Sequence, residues 1–170
     1  ICAVTLLTLP CVAGADTGAL FADGPFAAIM ARGVQYDSRS DLDTGFGGML
    51  SGGARRGPVA FEFGGTYTAG GNGAKALGGA FRGLFFPFDG SGLYALAGAG
   101  LQNIQDHPDL GNIDFNLVTV DAGLGYLFPI RFGARVLGLR AELFYEYGDR
   151  QDRDAQDDRE WPFTHAFNVS

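Results

Sequence analysis

The chain has 170 residues, enough for one domain, and 28 of them are glycines, which excludes an ordinary helical fold because glycine destabilises helix interiors. The net charge of −7 leaves no basic surface that could neutralise a phosphate backbone, so we expect no nucleic-acid partner. The sequence outside its first residues has no apolar run of 18 residues or more, which excludes membrane-spanning helices.

Residues 1–15 differ from the rest of the chain. Ile1 to Leu9 is apolar, Pro10 interrupts it, and Ala13-Gly14-Ala15 is a small-x-small cleavage pattern. We interpret residues 1–15 as the remnant of a secretory signal peptide and residues 16–27 as an N-terminal periplasmic tail. Both cysteines, Cys2 and Cys11, belong to the signal segment, so the mature chain is expected to lack thiols. Lipid modification of Cys11 is the alternative, but the proline before it disfavours that reaction.

From residue 28 to residue 170, apolar residues alternate with small or polar ones in blocks of about ten, the period-two pattern of β-strands. In the clearest block Val120 and Leu124 share one face, and Asp121 lies on the other. Eight blocks occur: Ala28 to Tyr36, Gly45 to Ser51, Val59 to Tyr67, Leu77 to Phe85, Leu93 to Gln102, Leu117 to Phe128, Leu137 to Tyr147, and one beginning at Phe163.

The connections between the blocks alternate in length and character. Long polar ones are Asp37 to Thr44, Thr68 to Ala74, Asn103 to Asn116 and Gly148 to Pro162. Short turns rich in glycine and proline are Gly52 to Pro58, Pro87 to Gly92 and Pro129 to Gly133. This asymmetry predicts an all-β, eight-stranded antiparallel up-and-down barrel with long loops at one end, whereas a Greek-key sandwich does not produce it.

Alternation alone does not distinguish a membrane barrel from a soluble lipocalin-like binding barrel, whose polar face points outward. The chain has a single lysine, Lys75, and its polar face consists mainly of glycine and alanine, which suits a narrow interior better than a water-exposed surface. We therefore predict a transmembrane β-barrel over residues 28–170.

Aromatic residues gather near the predicted strand ends, where the two water–lipid boundaries of a membrane barrel lie. The alternative is that they form an ordinary core. The residues concerned are Tyr36, Tyr67, Phe85, Tyr126, Phe128, Tyr145 and Tyr147.

Two segments, Leu139-Arg140-Ala141-Glu142-Leu143-Phe144-Tyr145 and Gly123-Leu124-Gly125-Tyr126, together with the eight blocks, resemble the OmpA-type outer-membrane β-barrel family. The resemblance implies a monomeric barrel with a structural, membrane-integrity role in the bacterial outer membrane. Its implied partners are outer-membrane lipid, lipopolysaccharide and the barrel-assembly machinery. The family's last strand ends in an aromatic residue, whereas this chain ends at Ser170, so we expect the last strand to be incomplete.

Five charged residues fall on the lumen side of their strands and are expected to pair there, because buried charges are stable only with partners. They are Glu62, Arg82, Asp121, Arg140 and Glu142. The simplest role is to fill and rigidify the interior. The resemblance implies a second role, a gate that opens a narrow pore when these groups exchange partners.

No pattern indicates catalysis, a cofactor or a metal. The histidines are His107 and His165, and neither has a serine in the arrangement that a lipid-modifying outer-membrane hydrolase, the remaining alternative, requires. The acidic segment Asp149 to Glu160 does not match a calcium-binding loop, because counting from Asp152 places Asp157 where glycine is needed and Phe163 where glutamate is needed. We expect no catalytic and no metal-ligating residue.

Overall fold

The computed structural model describes residues 23–36, 44–70, 73–105, 115–132, 135–150 and 164–169. Its elements are eight β-strands: β1 Gly24–Tyr36, β2 Gly45–Arg56, β3 Val59–Gly70, β4 Lys75–Phe85, β5 Leu93–Gln105, β6 Phe115–Phe132, β7 Arg135–Arg150 and β8 Thr164–Val169. These ranges contain no helical segment that could span a lipid bilayer.

Each strand pairs antiparallel with the next one along the chain, from β1 to β8. The short β8 pairs with β7 over residues 164–169 and with β1 over residues 166–169, which closes the sheet on itself. The predicted all-β, antiparallel, up-and-down arrangement is confirmed. A complete eight-stranded barrel that crosses a membrane stays a prediction.

The strands are strongly tilted. A row of laterally paired residues that starts at Phe26 on β1 returns to β1 at Tyr36, ten residues further on. With eight strands and standard strand spacings, this offset corresponds to a tilt of about 40°, within the usual range for closed barrels. Such a ring is just wide enough inside for side chains to fill it.

The strands extend further than the alternation predicted. β1 begins at Gly24 rather than Ala28, and β2 continues to Arg56, so that only Gly57 and Pro58 form the turn. Gly57 has a φ of +59°, which favours glycine, and its N–H donates to Asp23 Oδ1 at 2.6 Å. The alternation is interrupted by Gly24-Pro25 at the start of β1 and by the consecutive Arg55-Arg56 at the end of β2, although the hydrogen-bonded ladder continues.

We call the end of the sheet with the long connections the loop end and the opposite end the short-turn end. Three of the four loop-end connections are long, as predicted. Residues 37–44, 106–114 and 151–163 join strands at the loop end, whereas 57–58, 86–92 and 133–134 join them at the short-turn end. The fourth loop-end connection is only 71–74, because β3 runs to Gly70. That hairpin is closed by Gly70 N donating to Ala74 O at 2.7 Å.

Candidate functional site: a charged lumen

The structure places all five predicted lumen charges inside the sheet, with exposures between 1% and 8%. Other buried polar side chains surround them: Arg32, Ser51, Arg55, Thr66, Thr68, Gln102, Thr119 and Glu146. In a water-soluble protein these residue types normally face the solvent. The interior of the described part of the sheet therefore contains a polar layer as well as apolar side chains.

The five predicted charges form one alternating series, which we call the charge chain: Glu62, Arg140, Glu142, Arg82, Asp121. Arg140 donates from Nη1 to Glu62 Oε2 and from Nη2 to Glu142 Oε1. The other arginine of the chain, Arg82, places Nη1 3.5 Å from Glu142 Oε2 and Nε 2.7 Å from Asp121 Oδ2. Each arginine thus bridges two carboxylates, and the central Glu142 is shared by both.

The charge chain crosses the lumen rather than following one wall. Glu62 and Arg82 are lateral partners on β3 and β4, yet Glu62 pairs with Arg140 on the distant β7. Breaking one member of a buried pair costs about 3–5 kcal/mol, since the remaining charge is left without a partner. These pairs therefore tie together strands that are not neighbours.

A second ion pair lies beside the charge chain. Arg32 Nη2 on β1 is 2.8 Å from Glu146 Oε2 on β7, and Gln102 Nε2 donates to Glu146 Oε1 at 3.1 Å. These three residues were not among the predicted site residues. Glu146 shares the inward parity of Arg140 and Glu142, so alternation could have found it.

Tyr94 joins the charge chain from the short-turn side. Its hydroxyl donates to Glu142 Oε1 at 2.6 Å and accepts from Arg140 Nε at 3.1 Å, and its side chain is 1% exposed. The Phe144 ring lies 4.4 Å from the Arg82 guanidinium and 5.3 Å from that of Arg32, where cation–π attraction stabilises both. The charges are thus held by aromatic groups as well as by each other.

Glycines make room for these long side chains. Gly98 lies laterally between Arg82 and Asp121, and a Cβ there would come within 2.6 Å of Arg82 Cγ. A Cβ at Gly125 would overlap the Tyr94 ring. The small residues of the inward face therefore leave the room that the side chains of the charge chain and of Tyr94 occupy.

Apolar clusters lie on both sides of the charges. The short-turn end contains Ala60, Leu84, Phe86, Tyr94, Leu96 and Phe144, with Phe26 and Leu127 packed against them. The loop end contains Ala76, Ile104 and Leu117. Movement of ions along this lumen would require these side chains to rearrange.

The outward face is apolar. Its exposed large side chains are Ile29, Phe46, Leu50, Phe61, Phe63, Tyr67, Leu77, Phe81, Phe85, Phe88, Leu93, Leu101, Val120, Leu124, Tyr126, Phe128, Leu143 and Tyr145. Five of the predicted boundary aromatics are in this set, Tyr67, Phe85, Tyr126, Phe128 and Tyr145. They are therefore not core residues. Tyr147 is half-buried, and the side chain of Tyr36 lies outside the described residues.

No protein-family model matches the sequence, and no curated protein or solved structure matches it significantly. The resemblance to the OmpA-type family stays a prediction. A functional assignment for this chain therefore rests on the geometry of its described residues.

Several sequence predictions lie outside the described residues. They include the signal segment 1–15, His107, most of Asp149 to Glu160, and the side chain of His165 on β8. The absence of catalysis accordingly stays a prediction. Among the side chains that are described, no group of three His, Cys, Asp or Glu residues could hold a metal ion.

Proposed function

We propose that the chain is a β-barrel that spans a bacterial outer membrane and has a structural, membrane-integrity role there. The observation that carries this proposal is the inverted distribution of residues. Large apolar side chains point outward on β1 to β7, while arginines and carboxylates are buried inside. Monomeric soluble proteins rarely expose apolar patches of this extent, whereas lipid-facing strands require them.

The height of the apolar band supports the proposal. On β5 the outward residues are apolar from Leu93 to Leu101 and then become polar at Asn103 and Gln105. On β4 they are apolar or glycine from Leu77 to Phe85, with the exposed Lys75 beyond the loop end of this segment. Nine residues at a tilt of about 40° span about 22 Å, close to the apolar height of outer-membrane barrels.

The two edges of the band carry the residue types expected at a membrane surface. At the short-turn end the rings of Tyr126 and Phe128 pack together with centroids 4.4 Å apart. At the loop end Asn103 Nδ2 donates to Asn116 Oδ1 at 3.0 Å on the exposed surface. Aromatic rings prefer the lipid–water boundary, and paired amides are suited to the aqueous side of it.

The lumen favours a structural role over a permanently open pore. The charge chain connects β3, β4, β6 and β7, and apolar clusters lie on either side of it. The soluble lipocalin-like alternative is disfavoured by the same facts, since a soluble carrier has polar groups outside and an apolar cavity inside.

A gated pore is the second candidate, and one observation favours it. Glu142 contacts both Arg82 and Arg140, so that either arginine can release it while the other keeps it paired. Single-channel recordings in planar bilayers test this idea with wild type and with Glu142→Ala. A gate predicts more frequent openings in Glu142→Ala, and silence in both proteins eliminates it.

Site-directed spin labelling tests the membrane proposal. Labels at Val120 and Leu143, introduced in protein refolded into lipid vesicles, should collide readily with oxygen and poorly with a water-soluble nickel complex. A label at Thr119, which is buried on the opposite side of β6, is the matched control for the lumen. Water-exposed labels at Val120 and Leu143 would show that the outward face does not contact lipid. This result would favour the lipocalin-like alternative.

A further inference from the structure

A depression with a glycine floor interrupts the apolar outer face of β3 and β4. Its floor is Gly65 and Gly79, which are lateral partners. Within 4 Å, a Cβ at Gly65 would meet only Gly78 O, at 3.8 Å. One at Gly79 would meet only Gly64 O, at 3.6 Å, so the space above both backbones is open. Six large apolar or aromatic side chains with exposures from 47% to 67% border this glycine depression: Leu50, Phe63, Tyr67, Leu77, Phe81 and Leu101.

Four polar side chains lie together at the loop edge of the same outer face, and we call them the polar edge cluster: Lys75, Asn103, Gln105 and Asn116. Lys75 and Gln105 are lateral partners on β4 and β5. Asn103 and Asn116 are lateral partners on β5 and β6. Gln105 Nε2 donates to Asn103 Oδ1 at 2.6 Å, and Asn103 Nδ2 donates to Asn116 Oδ1 at 3.0 Å. Three carboxamides are therefore ordered beside one ammonium group.

The tilt of the strands places the polar edge cluster above the glycine depression. Lys75 and Gly79 are four residues apart on β4, which is about 10 Å along the barrel axis at a tilt of about 40°. Lateral rows climb towards the loop end from each strand to the next, as the ten-residue offset shows. A line parallel to the axis from Gly79 therefore reaches β5 near Asn103, the lateral partner of Leu77. One elongated amphiphile parallel to the axis can contact both the cluster and the depression.

We propose that this part of the outer face binds one phosphorylated glycolipid, a site that rests on the membrane-spanning barrel proposed above. The Lys75 ammonium group binds a phosphate of the headgroup, and the carboxamides donate to and accept from sugar hydroxyls. An acyl chain lies in the glycine depression, where it contacts the backbone directly and the bordering side chains on either side.

The distribution of charges and amides favours this ligand over an anionic lipid without a sugar. Among the described outward side chains of the loop edge, Lys75 is the cation, and the anion, Asp149, lies on β7, three strands away. The short-turn edge also has an exposed cation, Arg56, but its described residues include no carboxamide. Charge alone would therefore suit either edge, whereas charge combined with hydrogen-bonding amides and a depression occurs at the loop edge of β3 to β6.

Native mass spectrometry of the refolded protein in detergent tests the proposal. The probe is an acylated glucosamine disaccharide with two phosphates, compared with its dephosphorylated form. Wild type should bind one molecule saturably. Lys75→Gln should weaken binding of the phosphorylated probe by about fivefold, the effect of one basic residue at a charged membrane surface, and should leave the dephosphorylated probe unchanged. Arg56→Gln, at the opposite edge, is the matched control and should change neither affinity.

Gly79→Leu tests the glycine depression independently of the charge. The leucine side chain would occupy the place of the acyl chain, so both forms of the probe should bind more weakly. Gly83→Leu is the matched control, because Gly83 faces outward on the same strand and a Cβ there would meet only Ala97 O at 3.9 Å. This variant should bind both forms as wild type does.

Three results would overturn the glycolipid site. They are wild-type affinity of Lys75→Gln for the phosphorylated probe, equal effects of Gly79→Leu and Gly83→Leu, and binding of phosphatidylglycerol, which has a phosphate but no sugar ring, as tightly as the glycolipid. The spin-label experiment is scored separately. Lipid contact at Val120 and Leu143 together with any of these three results would reject the glycolipid site and leave the membrane barrel in place.

Discussion

Arg32 on β1 and Glu146 on β7 form an ion pair of 2.8 Å although β8 lies between their strands. β8 itself pairs with β1 only over Gly33 to Tyr36. Gln102 on β5 holds the second oxygen of Glu146, so the carboxylate is fixed from across the lumen. The seam where the sheet closes is therefore bridged by side chains as well as by backbone hydrogen bonds.

Arg32→Gln is expected to destabilise the protein by about 3–5 kcal/mol, because it leaves the Glu146 carboxylate buried with only an amide partner. Urea unfolding of refolded protein, followed by circular dichroism of the β-sheet, measures the change. The double variant Arg32→Met/Glu146→Leu removes both charges and should recover most of the loss. Equal destabilisation in the single and double variants would mean that packing, and not charge, accounts for the effect.

Tyr94→Phe keeps the ring but removes the hydroxyl that connects Glu142 and Arg140. Hydrogen bonds to charged groups contribute about 1.5–3 kcal/mol, and we expect a loss of this size in the free energy of unfolding. Tyr126→Phe, on the exposed outer face, is the control and should change stability by less than about 0.5 kcal/mol. A similar effect at the two positions would contradict the role assigned to the Tyr94 hydroxyl.

Gly125→Ala should be destabilising, since the added Cβ would overlap the Tyr94 ring. Overpacking of this kind costs about 1–3 kcal/mol. Gly65→Ala is the matched substitution on the outer face, where a Cβ meets only Gly78 O at 3.8 Å. That variant should be neutral or slightly stabilising, because alanine has less conformational freedom to lose than glycine. Thermal unfolding of both proteins side by side checks the contrast.

Arginine substitutions on the outer face should report depth in the membrane. Leu124→Arg, near the middle of the apolar band on β6, is expected to cost about 2–4 kcal/mol in lipid vesicles, whereas Asn103→Arg, beyond the loop edge of the band, should cost about 0–1 kcal/mol. Folding equilibria in vesicles measure both. If the two positions tolerate arginine equally, the band does not lie in hydrocarbon.

The sequence predicted the lumen charges wherever the two faces of a strand differ in composition. On β7, Leu139, Leu143 and Tyr145 alternate with Arg140 and Glu142, so the inward parity is unambiguous. The same reasoning located Glu62, Arg82 and Asp121.

Arg32 could not be located in this way. On β1 the buried residues Met30 and Val34 are as apolar as the exposed Ile29, so alternation does not indicate which face is inside. For Tyr94, the alternation with Leu93 and Ala95 is consistent with an inward ring, but the contact of Tyr94 with Glu142 and Arg140 depends on Gly125 leaving space on the neighbouring strand. Contacts across the lumen depend on the pairing register between strands, and the residue pattern of a single strand does not give that register.

The alternation of inward and outward side chains and the antiparallel order of the strands restrict how such a chain can change in length. Inserting one residue within a strand would turn the rest of that strand over, so that arginines would face outward and leucines inward. We therefore expect insertions to be accommodated between strands, or as pairs of residues within a strand. Gene duplication would have to add whole hairpins, since a single extra strand would bring the closing partners together in the wrong direction.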